Sequence, residues 1–293
     1  MLAVPAGVRT TAPPTLLRLP GGTFTMGTDG ADAVPGDGEG PARRVTVSPF
    51  AIAAATVTNR EFGDFVRATR YVTDAERQGA SFVFYLQLPV HARRSARSAV
   101  AGLPWWVSVE HACWQRPEGP GSHVHDRPDH PVVHVSWHDA QAYCAWSGTR
   151  LPTEAQWEYA ARGGVEGTRF PWGDELLANG EPRCNVWRGG FPNAPAEGWT
   201  PGPVAVRTGA ANGYGLFNVC GNVWEWCADW YAADYHATTA STDPLGTAPN
   251  GRRAMRGGSF LCHDSYCNRY RLSARSANTP DSTASNVGFR VAA

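Results

Sequence analysis

The sequence predicts an α+β chain with little regular secondary structure, and three observations lead there. Gly (32 residues) and Pro (23 residues) are abundant, so much of the chain is spent in turns and irregular segments. Helical periodicity with recognisable caps occurs in only three short stretches, and beyond residue 165 only short strands and turns are legible. Twelve Trp supply core mass that long helices would otherwise supply.

Residues 1–18 read as a flexible N-terminal arm, and 19–293 as a single domain without repeat, linker or charge block. From Leu19, LPGGTFTMGT predicts a turn and then a strand with Phe24 and Met26 on one face. DGADAVPGDGEGPARR is a loop. No helix follows its Gly36, Gly38 and Gly40, so they are turn glycines and not a phosphate loop. VTVSPFAIA predicts a second strand. The first helix starts after Thr58 and places Phe62, Phe65 and Val66 on one side. Residues 78–132 form a long connection rich in aromatics, Pro and Gly. The second helix starts after Ser136, with Asp139 three residues on and Tyr143 and Cys144 facing inward before Gly148. The third starts after Thr153, where Gln156 completes a capping box, and stops at Gly163-Gly164.

Composition removes several function classes. The formal net charge is +0 and the pI about 7.1, so nothing steers the chain toward nucleic acid or an anionic membrane. Arg93, Arg94 and Arg97 form a short basic cluster that reads as a solvated loop. The chain has no lysine, which excludes Schiff-base chemistry, covalent pyridoxal phosphate and a P-loop lysine. No GxSxG, HExxH or EF-hand loop is present, and no stretch is apolar enough to span a membrane. The first twenty residues carry Pro5, Pro13 and Pro14 and do not read as a secretion signal. Seven irregularly spaced cysteines argue against a disulfide framework and lead us to expect a reducing, cytoplasmic setting.

Cys262 and Cys267 are the informative cysteines. Residues five apart point to opposite faces of a strand and lie well apart around a helix. Sulfurs that meet at this spacing need a bend, which His263-Asp264-Ser265 could make. Cu(I) accepts two thiolates with few other ligands, whereas Zn(II) would want four, and no second pair stands at zinc spacing. On spacing alone, two unrelated core cysteines are the favoured reading. Cys113, Cys144, Cys184, Cys220 and Cys227 read as core residues, and His123, His125, His130 and His134 as members of a loop and a strand.

The surroundings say more than the spacing. GGTFTMGT, PWW, DRPDHPVVHVSWHDAQAYCAW, RLPTEAQWEYAARGG, NGYGLFNVCGNVWEWCADW, GGSFLCHDSYCNRYR and NTPDSTASNVGFR occur in this order. Over these blocks the chain resembles the formylglycine-generating enzymes, or sulfatase-modifying factors, from about Leu19 to the end. The resemblance implies a C-type-lectin-like variant of the α+β class. It implies an oxidase that uses O2 and a thiol reductant to convert the cysteine of a sulfatase Cys-x-Pro-x-Arg motif to Cα-formylglycine. Its partner would be an unfolded or nascent sulfatase polypeptide, with no nucleic acid or membrane, and the protein a monomer. Cys262 and Cys267 would bind Cu(I), with Ser259 and Trp224 beside the metal and His263, Tyr266 and Asn286 around the substrate. Asp74 and Glu76 would receive the substrate arginine, with internal salt bridges as the competing reading.

The resemblance also implies two structural Ca2+ sites. One would use Asn185, the backbone of Val186, Glu197 and the backbone of Trp199. The other would use Asn218, Gly221, Val223 and Glu225, partly through backbone carbonyls; otherwise Asn218 and Asn222 make turns and Glu225 pairs with an arginine. Leu272, Val291 and Ala161 stand where animal members carry bridged cysteines, leaving only Cys144. The competing functions are a non-catalytic binding module of this fold and an iron-dependent sulfoxide synthase-like protein.

Overall fold

The computed structural model describes residues 15–93 and 100–293. Residues 1–14 of the expected arm, and Arg94 and Arg97 of the basic cluster, lie outside the described residues. In chain order the strands are β1 (Leu16–Leu19), β2 (Gly22–Met26), β3 (Arg43–Val47), β4 (Phe50–Ala53), β5 (Ala80–Phe84), β6 (Trp106–Glu110), β7 (Leu177–Ala178), β8 (Glu181–Pro182), β9 (Gly189–Gly190), β10 (Ala194–Pro195), β11 (Trp224–Trp230), β12 (Arg253–Arg256), β13 (Arg275–Asn278) and β14 (Val287–Gly288). The helices are α1 (Asn59–Thr69), α2 (Asp74–Gln78), α3 (Val90–Arg93), α4 (Trp137–Ser147), α5 (Glu154–Arg162) and α6 (Tyr235–Thr238).

The three helices legible in the sequence are α1, α4 and α5. Each is fastened by a reciprocal capping box, Thr58 with Glu61, Ser136 with Asp139 and Thr153 with Gln156. Phe62 and Phe65 from α1 meet Tyr143 from α4 at ring distances of 6.1 and 5.7 Å, and Phe289 closes the cluster. Two expectations need correction. The domain begins inside the stretch assigned to the arm, because Leu16–Leu19 pairs antiparallel with β4. VTVSPFAIA is two strands: β3 pairs with β2 and β4 with β1. Pro49 cannot donate to a ladder, so the chain changes partners there.

The central sheet runs β13-β12-β11-β14, antiparallel except for the parallel β11–β14 pair. Helix α5 packs on β11 and β12 and also against β2 and β3. Its inward carboxylates, Glu154 and Glu158, are buried against arginines of the sheet. Arg256 reaches Glu154 at 3.1 Å and Glu158 at 2.5 Å, and Arg275 reaches Glu154 at 2.7 Å. Among the described residues, no helix is long and apolar enough to cross a membrane.

His134 is fully buried beside β5, with Nδ1 2.7 Å from Ser81 Oγ. Burial pushes it down from 6.5 to about 4. Such a group stays neutral in the folded chain and takes up its proton on unfolding. Its contribution is therefore present above pH 6.5 and is lost as pH falls toward 4, to the extent of roughly 3 kcal/mol. Asp139, pushed up to about 6 by burial, acts in the opposite direction, so the informative quantity is a difference. Urea unfolding of wild type and His134→Gln at pH 7 and pH 4.5 should show the wild type losing more stability on acidification. Parallel losses in the two proteins would refute the assignment.

Candidate active site

The site begins where β12 ends. Gly257 and Gly258 follow Arg256 with φ of +91° and +73°. A Cβ at Gly258 would stand 2.6 Å from the Arg269 carbonyl oxygen, and one at Gly257 3.2 Å from the Trp157 ring. Only glycine lets Ser259–Cys262 run this close beneath residues 267–270. The chain then reverses on one carbonyl: His263 O accepts N–H groups of Tyr266 (3.0 Å), Cys267 (2.9 Å) and Asn268 (3.0 Å). Asn268, in the left-handed region at φ +47°, ends the turn. This is the bend that the five-residue spacing required.

The turn brings the two thiols into hydrogen-bonding contact, and both are free. Cys262 Sγ also accepts the Ser259 N–H at 3.4 Å. Burial pushes the Cys262 thiol well above the usual range. Cys267 moves down, because the Cys262 S–H donates to it and backbone groups of Arg269 and His263 add further hydrogen bonds. Cys267 is therefore the sulfur that ionises first, and only the ionised form is a nucleophile or metal ligand.

Both cysteines line a cleft of about 690 Å³, together with Ser259, Trp224, Tyr266 and Asn286. Asn286 Nδ2 donates to Ser259 Oγ at 3.0 Å, and its carbonyl accepts the Trp224 N–H at 2.9 Å, tying the turn to β11. Tyr266, 37 % exposed, stacks on Phe191 (4.6 Å, 8°) and meets Trp105 edge-on (4.9 Å, 85°). Burial pushes its hydroxyl up to about 12. Trp105 and Trp106 also line the cleft, although the sequence singled them out only as part of a PWW block.

Other expected site residues lie elsewhere. His263 faces a separate pocket of about 400 Å³ with Arg188 and Asp264, and its Nδ1 is engaged by Ser265 at 2.8 Å. It shapes the turn and does not line the cleft. Asp74 and Glu76 are not an open acidic pair. Asp74 is held by Arg77 at 2.8 Å and by the Ser136 hydroxyl at 2.5 Å. Glu76 accepts the Thr73 N–H at 2.9 Å and hydroxyl at 2.7 Å, completing the capping box of α2. The Thr73-x-x-Glu76 pattern was readable as a helix start, and that signal was missed.

At the first expected calcium site, Asn185 Nδ2 donates to Gly202 O at 2.9 Å and Asn222 Oδ1 at 3.0 Å, which turns its own Oδ1 away from those partners. Val186 is buried, Trp199 partly so, and Glu197 stands exposed. At the second, Asn218 donates to Val206 O at 3.0 Å, and Gly221 and Val223 are buried. Glu225 requires correction as a cation ligand. Its carboxylate is filled by Arg290, in two bonds of 2.7 Å, and by Trp157 Nε1 at 2.7 Å. Among the described residues, His123, His125, His130 and His134 do not gather into a three-donor metal cluster.

A mixed α/β domain with few helices, many short strands and two neighbouring thiols lining a cleft defines the class. Residues 3–293 match the sulfatase-modifying factor enzyme 1-like domain, and the chain belongs to that family, with the C-type-lectin-like α+β variant as its fold. It is 56% identical over 283 residues to a formylglycine-generating enzyme of Thermomonospora curvata, covering 95% of this chain and 93% of that protein. It is also 45% identical over 281 residues to a Bos taurus protein named inactive C-alpha-formylglycine-generating enzyme 2, covering 94% and 87%. Family membership therefore does not by itself decide activity. Among solved structures, PvdO of Pseudomonas aeruginosa superposes with a TM-score of 0.68 at 26% identity, over 95% of this chain and 94% of that one.

Proposed function

We propose that this chain converts the cysteine of a sulfatase Cys-x-Pro-x-Arg motif to formylglycine, using O2 and a thiol reductant. The observation that carries the reading is the contact between two reduced thiols, Cys262 and Cys267, on the wall of a peptide-sized cleft. The balance is one cysteine thiol, one O2 and two reductant thiols giving one aldehyde, one hydrogen sulfide, one water and one disulfide.

The donor set suits Cu(I): two soft sulfurs, one of them held below the usual thiol range by its neighbour's S–H and backbone groups. Cu(I) held there would supply the one-electron chemistry with O2 that side chains cannot perform. The chain's own residues then position and exclude. Cys262 and Cys267 would hold the metal, and the Ser259 N–H fixes the Cys262 sulfur. Asn286 holds the Ser259 hydroxyl in place, while Tyr266, Trp105 and Phe191 form an aromatic wall that keeps water from an incoming thiol.

Calcium is proposed at Asn185, Val186, Glu197 and Trp199, and at Asn218, Gly221 and Val223 without the Glu225 carboxylate; these oxygen donors suit a hard cation. A cytoplasmic, monomeric protein is proposed; seven free cysteines fit a reducing compartment. The test is to incubate copper-loaded protein with a Cys-x-Pro-x-Arg peptide and a thiol, in air. Mass spectrometry should find the aldehyde; an unchanged peptide would overturn the proposal.

A further inference from the structure

We propose that Cys184 and Cys220 are a redox-sensitive pair that closes to a disulfide when thiol reductant runs low, fastening together two segments that carry the active-site turn. Asn185 and Gly221 form a parallel bridge, and the Asn222 N–H donates to Asn185 O at 2.8 Å. Cys184 and Cys220 each stand one residue before a bridge partner, so they are lateral neighbours and face the same side. Paired segments run about 4.8 Å apart. A disulfide needs Cα atoms about 4.4–6.8 Å apart, so the backbone already meets the requirement. Both cysteines are free, and both line one cavity of about 100 Å³ beside Asn218. Cys220 is buried, whereas Cys184 is partly exposed and open to a small oxidant.

The pair flanks the site without belonging to it. From the first segment, the Trp187 N–H donates to Cys262 O at 3.1 Å. From the second, the Gly221 N–H donates to Gly257 O at 2.8 Å, and Asn222 O accepts the Phe260 N–H at 3.0 Å. The stretch from Gly257 to Cys262 therefore hangs on both segments. The oxidant is a low-molecular-weight disulfide, the class that the proposed reaction itself releases; its supply rests on that reading, and the geometry of the pair does not. The Cys184 thiolate attacks one sulfur of the oxidant and expels a thiolate, leaving a mixed disulfide. The Cys220 thiolate then attacks the Cys184 sulfur and expels the second. Each departing thiolate takes up the proton that the attacking thiol gave up. Two protein thiols and one small disulfide thus give one protein disulfide and two small thiols. Burial pushes the Cys184 thiol up to about 12, so exchange is slow and the pair stays open while thiol is in excess.

The test uses the Cys262→Ala/Cys267→Ala variant, which removes the other thiol pair. Overnight incubation with excess oxidised glutathione at mildly alkaline pH should consume two thiols. Mass mapping without reduction should link the peptide holding Cys184 to the one holding Cys220. Closing the loop between them should raise the melting temperature by about 5–10 °C, and dithiothreitol should reverse the gain. Cys184→Ser and Cys220→Ser, added singly, should each abolish the link and the shift. An unchanged thiol count, a glutathione adduct that stays on Cys184 without the link, or a link between other cysteines in its place would overturn the proposal. A link with no gain in melting temperature would overturn the fastening. Wild type mapped in the same way serves if the double variant is not folded, because the linked peptides identify which cysteines are joined. Since the variant lacks the pair assigned to the oxidation of substrate, this result is read separately from aldehyde formation, and failure of one does not mimic failure of the other.

Discussion

Cys267→Ala should abolish aldehyde formation, by at least about a thousandfold, with the melting temperature nearly unchanged. Cys267 is the sulfur lowered by its neighbour's S–H and by backbone groups of the returning turn. Removing it leaves Cys262 buried, protonated and without a sulfur partner. Cys262→Ala should be as severe, and the double variant no worse than either single one, because residues that act as a unit are strongly non-additive. Cys267→Ser should not rescue, since a hard oxygen replaces a soft donor. Anaerobic titration gives a second readout: Cu(I) uptake should fall from one equivalent to none in each variant. Retention of a tenth or more of the activity in Cys267→Ala would sink both the assignment of the pair and the copper proposal.

The largest stability effect is expected at Arg290→Met. Arg290 is fully buried and clamps Glu225 with two bonds of 2.7 Å. It also donates to the carbonyls of Ala53 (3.0 Å), Ala54 (3.2 Å) and Phe217 (2.9 Å). One guanidinium thereby joins β4, the segment before β11, and β11 itself. Removing it strands a buried carboxylate to which, among the described residues, only Trp157 still donates a hydrogen bond. Breaking such a pair from one side typically costs about 3–5 kcal/mol, or a melting temperature lower by on the order of 10 °C. Glu225→Leu introduced into Arg290→Met should recover part of the loss, because no charge is then stranded. A loss below about 1 kcal/mol in Arg290→Met would show that the pair is not the clamp described.

Local chemistry was legible in the residues themselves. Thr58, Ser136 and Thr153 start helices because each hydroxyl needs only an N–H three residues on, and Gly148 and Gly163 stop them in the left-handed region. The same logic covers Thr73 and Glu76, where Glu76, expected with Asp74 either to receive a substrate arginine or to form internal pairs, closes the cap of α2. Only distant partners revealed the break in VTVSPFAIA, since β3 and β4 are told apart by what they pair with and not by their own alternation.

By itself, the sequence determined which chemistries were open. It has no lysine for Schiff bases, and it has two cysteines five apart in a turn-forming stretch and three capped helices, all of them properties of neighbours along the chain. Only the tertiary structure decided which polar groups are still available. Glu225 is used up by an arginine 65 residues away and Asp74 by a serine 62 residues away. A buried carboxylate must find a partner wherever folding places one, and that partner's position in sequence is not constrained by any local rule.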